Sequence, residues 1–240
     1  EGFDALRADY GRPGEFVPAA DGAVPADRLE LFLAIRDDLT TSRDELAGVL
    51  TTLDGDAEGG GGGVIAKIRG GITLIPRLFD FIDDRNAVLV ERGMGLGEYV
   101  YLYTLTYHSW LGHSPGEAPE VREGPDGVRV GVFGDNDGLF SEEAVRRRYR
   151  RYVLGMVRAQ IGSTAPEAEA GEGEAWRARL QREIQRLELD PGHVLWQDGL
   201  PEDIEAALEP FRPRLEATWS ATTNRVELPL AEHETPWEWR

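Results

Sequence analysis

Apolar residues at Leu29, Phe32, Ile35 and Leu39 recur at the spacing of one helix face. Pro25 suits the first turn of that helix, and Asp27 lies at its positive end. The S-R-D-E run at 42–45 reads as a capping box, Ser42 with Glu45, opening a segment through Leu46, Val49, Leu50 and Leu53. Residues 64–76 are apolar but interrupted by Gly70 and Gly71, a short helix or irregular buried segment. Leu78, Ile82 and Leu89 predict a helix over 77–92, closed by Gly93 in the left-handed position. Ser141 caps a helix to about residue 161 with Val145, Tyr149, Tyr152, Val153 and Met156 on one face. Trp176, Leu180, Ile184 and Leu187 mark a further helix stopped by Pro191-Gly192. Another begins at Leu200-Pro201, and Pro210 and Pro213 interrupt it.

Between these segments the pattern fails. Residues 1–24 carry prolines and glycines without periodicity and read as an extended arm. Five consecutive glycines at 59–63 cost too much backbone entropy for regular structure. Residues 162–175 have linker composition. VRVGVF, at 128–133, reads as a strand, half of one small hairpin at most, and the TPWEWR tail reads as extended. The expected class is mainly α: an irregular bundle of six or seven helices around a central aromatic helix. The expected organisation is an arm (1–24), a helical core (25–161), a linker (162–175) and a C-terminal helical segment (176–240) packed on the core.

The central element is the run EYVYLYTLTYHSWL, which holds four of the seven tyrosines. Its residues favour strands, but both alternating sets are apolar, it runs for 14 residues, and Gly97 and Gly112 bracket it. Length and brackets favour a helix apolar around nearly its whole circumference, hence central, with Trp110 a large contributor. At about 100° per residue, Glu98, Tyr101, Leu105 and His108 share one face and Tyr99, Tyr103, Thr106 and Trp110 another. A pocket for a small ligand or metal would use Glu98, Tyr101 and His108, with His113 just beyond. Their spacing matches no standard metal-ligand pattern, so hydrogen-bonded core polar groups are the competing reading and no cofactor is expected.

Composition narrows the function classes. The net charge is -18, which repels nucleic acid, and no apolar stretch reaches the roughly 18–20 residues needed to span a bilayer. The chain has no cysteine, which removes disulfides and thiolate chemistry. Only RRRYRR runs against the acidic trend. Arg146, Arg147, Arg148, Arg150 and Arg151 form either an anion or partner patch or, the favoured reading, an internally paired helix face.

Three motifs invite chemistry and fall short. GHSPG at 112–116 has the G-x-S-x-G form of a hydrolase elbow. Pro115 lacks the N–H an oxyanion hole takes from that position, and a loop, not a helix, follows. No catalytic residue is expected. The glycine run lacks the G-K-[ST] ending of a phosphate loop. DNDG at 135–138 would put Phe133 and Ala144 at the anchoring ends of a calcium loop, where oxygen ligands belong.

The segments VPADRLELFLAIRDDL and GMGLGEYVYLYTLTYHSWL together resemble a pattern in uncharacterised bacterial exported proteins, some of them lipoprotein-like. The resemblance implies a location in the cell envelope and transfers no catalytic residue. The opening DYGRPGEFVPAADGAVP is similar to the tether after a removed export signal or lipid anchor. The expectation is a non-enzymatic helical envelope protein, structural or binding another envelope protein. A small-ligand or metal-binding domain is the alternative, and oligomeric state stays open.

Overall fold

The computed structural model describes residues 2–56, 63–117, 141–163 and 172–229, and every regular element among them is helical. The mainly-α expectation holds. The glycine-rich stretch before Gly63, the 128–133 strand, DNDG, most of the 162–175 linker and the C-terminal tail lie outside the described residues.

The N-terminal stretch differs from the extended arm expected of it. It forms helix α1 (Gly2–Tyr10), with Asp4 in its first turn and Leu6 buried, and then a short 3-10 turn (Pro13–Glu15). One apolar anchor was too little periodicity to read. Helix α2 (Ala26–Asp38) follows the predicted stripe, with Leu29, Phe32 and Ile35 fully buried. Helix α3 (Thr40–Asp56) starts two residues before Ser42, so Ser42 does not cap it. The Ser42 hydroxyl instead donates to Asp84 at 2.5 Å. Residues read as two segments form one helix, α4 (Gly63–Arg92), with Pro76 inside it.

Helix α5 (Leu96–Tyr103) runs directly into a π-helical segment (Thr104–Trp110). From Tyr99 to His108 every side chain is buried, so the aromatic run is the central helix of the fold. Gly97 allows the 3-10 turn to lie on it: a Cβ there would sit 2.5 Å from Phe16 Cβ and 2.6 Å from the Pro13 carbonyl oxygen.

Helices α6 (Glu142–Ser163) and α7 (Glu172–Leu189) pack together, and Ser141 caps α6 by accepting from the Ala144 N–H at 3.3 Å. Three short helices close the described chain: α8 (Glu202–Leu208), α9 (Arg212–Thr218) and α10 (Ala221–Glu227). A 3-10 turn at Pro210 separates α8 from α9, whereas the break between α9 and α10, at Trp219-Ser220, contains no proline. Helix α9 lies on α2, and α10 reaches α3 and α4.

Candidate functional site

The π-helical segment decides where the candidate side chains go. Its bonds run from residue i+5 back to i, as in Leu111 N–H to Thr106 O at 3.0 Å, so the wider turn brings positions five apart, as well as four, onto one face. Hence His108 leaves the Tyr101 face and lies beside Tyr103, ring centroids 5.3 Å apart, and also meets Tyr149 and Trp219 edge-on. Trp110 rotates off the tyrosine face. It is only half-buried, with the Arg212 guanidinium 4.0 Å above its ring.

The residues expected to share a pocket are therefore separated. Glu98 accepts two bonds from Arg28, from Nε at 2.6 Å and Nη2 at 2.5 Å. That bidentate bond raises the Arg28 pKa. Tyr101 packs on Phe16, and burial raises its phenol pKa. His113 stacks flat on Trp219 at 3.9 Å and reaches Glu117 through Nδ1 at 3.3 Å. His108 bonds the His113 carbonyl oxygen through Nδ1 at 2.9 Å. A carbonyl only accepts, so Nδ1 carries the proton and Nε2 is a bare acceptor, buried without a partner. Burial pulls the His108 pKa down to about 4, so the ring is neutral at neutral pH. Among the described residues no group of three or more acidic or histidine side chains could hold a metal ion.

What the central helix does assemble is a buried polar network with the C-terminal helices. Tyr99, Tyr103 and Tyr107 stack at successive turns and present their hydroxyls to one side. Tyr99 donates to Glu227 at 2.8 Å, Tyr103 to the Asn224 amide oxygen at 3.1 Å, and Tyr107 bonds the Thr218 hydroxyl at 2.7 Å. Arg36, fully buried, pairs with Glu227 and donates to the Tyr99 hydroxyl at 2.9 Å and the Thr218 carbonyl at 2.7 Å. Its guanidinium also lies 5.3 Å from the Tyr103 and Tyr107 ring centres. Arg85 caps the C-terminal end of α10 by donating to the carbonyls of Val226 (3.0 Å) and Glu227 (2.7 Å), where the helix dipole is negative. Arg43 does the same for α9 at Thr218, at 3.1 Å.

Electrostatically the network holds Glu227 ionised. Burial alone would raise its pKa, but the Arg36 and Arg85 charges and the bonds from Arg36 and Tyr99 outweigh burial and lower it. Burial lowers the Arg85 pKa, while for Arg36 the Tyr99 and Glu227 oxygens overcome burial and raise it.

The GHSPG loop belongs to the same assembly. The Asn224 amide donates to the carbonyls of Ser114 (2.9 Å), Pro115 (3.1 Å) and Glu117 (2.9 Å), and Arg225 donates to that of Gly116 (2.8 Å). The loop thus turns a row of acceptors toward α10, whereas an oxyanion hole needs donors. The Ser114 hydroxyl accepts from Arg146 at 3.0 Å and from the Gly116 N–H at 3.3 Å.

The arginine run divides. Arg146 and Arg147 pair with Glu142 and Glu143 one turn earlier, Arg148 is buried, Arg150 donates to the Glu188 carbonyl at 2.8 Å, and Arg151 is exposed. A second buried carboxylate, Glu183, accepts from His193 at 3.0 Å and the Trp196 N–H at 2.9 Å. It thereby fixes Trp196 in the left-handed region, at φ 56°.

Of these charged core residues sequence reasoning singled out only Arg148 and passed over Arg36, Arg43, Arg85, Glu183 and Glu227, although a signal existed for most. Arg36 and Arg43 extend the stripe of Leu29, Phe32, Leu39 and Leu46. Arg85 falls between Leu78 and Leu89, Arg148 between Val145 and Tyr152, and Glu183 between Leu180 and Leu187. A charge at a core-facing position of a helix marks a buried, bonded group. Comparison of the chain with family models, curated proteins and solved structures returns no match.

Proposed function

We propose that this chain is a non-enzymatic helical protein of the bacterial cell envelope that works by binding another protein. The observation that carries the reading is the surface along α9. At its start Arg212 covers the half-buried Trp110, and just past its end His113 stacks on the half-buried Trp219. Tryptophan and arginine dominate the energetics of protein interfaces, where large rigid rings gain contact area at low entropic cost. The groups that would suit chemistry support the same reading, because they are engaged within the fold: Ser114 with Arg146, Glu98 with Arg28, His108 with a carbonyl. A cleft lined by Ser42, Glu45, Arg77 and Asp84 has a volume of about 10 Å³, room for one water. No helix among the described residues is long and apolar enough to cross a membrane.

A second reading, a small-ligand site on the central helix, rests on a separate observation. The π-helical segment carries buried polar atoms without partners, at Thr104 Oγ1, His108 Nε2, Ser109 Oγ and Trp110 Nε1. It keeps His108 but loses Glu98, whose carboxylate is committed to Arg28.

Site-specific photo-cross-linking in the native host separates the two. A benzophenone side chain at position 219 should give one discrete protein adduct in the envelope fraction, and the same group at the exposed Leu189 of α7 should give none. Equal adducts from both positions, or none from 219, would remove the binding surface.

A further inference from the structure

Helix α10 is an unusual core element. Its seven residues, ATTNRVE, place Thr223, Asn224, Val226 and Glu227 in the interior, so only one buried side chain is a sizeable hydrocarbon. Hydrogen bonds and one ion pair attach it together with Val226 and the following Leu228, so most of its attachment is polar and can be exchanged for bonds to another polar segment. A helix of this length has little stability of its own. It is joined to α9 through Trp219 and Ser220, both extended (ψ 142° and 111°), a short hinge with no helical continuity across it.

Beneath α10 the fold gathers three buried or nearly buried guanidinium groups. Arg36, Arg43 and Arg85 meet there, and the only buried carboxylates among the described residues are Glu227, in this network, and the distant Glu183. Tyr99 adds a hydroxyl donor. The present occupant uses this set incompletely. Glu227 takes one guanidinium nitrogen of Arg36, Nη1, while Arg36 Nε is buried without any acceptor. Arg28 and Glu98 show the contrast: there Nε and Nη2 grip both carboxylate oxygens, the stronger fork geometry.

We propose that Arg36, Arg85 and Tyr99 form a carboxylate-binding site that the chain fills with its own Glu227, and that an acidic segment of a partner protein replaces α10 there. This rests on the partner-binding reading and adds the partner's chemistry and a latch. Helix α10 swings out about the 219–220 hinge, uncovers the guanidinium groups and the tyrosine hydroxyls, and frees the carbonyls of the 114–117 loop.

The test uses the full chain and synthetic peptides of residues 219–229, one native and one carrying Glu227→Gln. In fluorescence anisotropy, the Glu227→Gln chain, whose own latch is weakened, should bind the native peptide at least about tenfold more tightly than the unmodified chain does. It should also prefer the native peptide to the Gln peptide by about tenfold or more. Equal binding of the two peptides, or none by a Glu227→Gln chain with an unchanged circular dichroism spectrum, overturns the proposal. If that variant does not fold, hydrogen exchange on the unmodified chain decides. Amides of residues 222–228 exchanging roughly 100-fold faster than those of 99–107 support a latch, and equal protection overturns it. Failure here leaves the cross-linking result from position 219 standing, so the two claims fail separately.

Discussion

Replacing Arg36 by Met tests the buried network at its centre. Methionine matches much of the side-chain volume, so packing changes little while the charge disappears. The variant loses the ion pair to Glu227, the bond to Tyr99 and the bond to the Thr218 carbonyl. Glu227 keeps donors from Tyr99 and from Thr223, the latter at 3.1 Å, but its carboxylate no longer touches a cation. Breaking a buried pair from one side costs about 3–5 kcal/mol, because the remaining charge stays desolvated. For a domain of this size that corresponds to a fall in Tm of about 6–20 °C. Urea denaturation and calorimetry of Arg36→Met, Glu227→Gln and the double variant measure it. The double variant should cost at least about 2 kcal/mol less than the sum of the singles, since its second change removes the stranded charge. A cost for Arg36→Met below about 1 kcal/mol, or strict additivity, would refute the reasoning, for it would mean that Glu227 is solvated.

Acid should destabilise the fold through His108. Its folded pKa, about 4, lies below the ordinary 6.5, so the unfolded chain binds the proton first and stability present above pH 6.5 is lost as pH falls toward 4. The shift corresponds to about 3 kcal/mol, and His108→Leu should flatten the stability profile between pH 6.5 and 4.5, above the range where Glu227 contributes. Gly97→Ala should lower Tm by several degrees, because the new Cβ meets the Pro13 carbonyl, which as backbone cannot swing aside; an unchanged Tm would show that the 3-10 turn yields freely. Asn224→Ala should cost about 2–3 kcal/mol by stranding the loop carbonyls, while Ser114→Ala should stay within about 1 kcal/mol and Ser114 of the unmodified chain should not be labelled by fluorophosphonates. Trp110→Ala should fall short of the about 3–5 kcal/mol typical of a fully buried tryptophan, because its ring is partly exposed beneath Arg212.

The helices that bury a plain apolar stripe were legible in the sequence. The stripe of α2 follows from side-chain spacing alone, whereas of the two glycines expected to bracket the aromatic run only Gly112 lies at its end, Gly97 being inside α5 behind the N-cap Gly95. Gly93, at φ 75°, ends α4 in the left-handed region as expected, and Gly112, at φ 78°, ends the aromatic run in the same conformation. The π-helical register was not legible, because no single residue demands it, and it moved His108 from the Tyr101 face to Tyr103. Helix α1 was hidden by its single buried leucine, and α10 by a composition of threonine, asparagine and glutamate that reads as surface. Those residues are buried because Arg36, Arg85 and the tyrosines arrive from more than 100 residues earlier in the chain, a convergence that no local window contains. The candidate site fared likewise. His108 is buried as its position implied, but its partner is a carbonyl five residues on, not Glu98.

Nitrogen-15 NMR of the histidine side chains tests most directly whether the reactive-looking groups of the central helix fasten the fold. His108 should show one neutral tautomer, protonated at Nδ1 where it meets the His113 carbonyl, from pH 7.5 down to about 5, and zinc should leave its resonances unmoved. Titration of His108 near pH 6.5, or a zinc-dependent shift at Nε2, would contradict the account and make the central helix a working site.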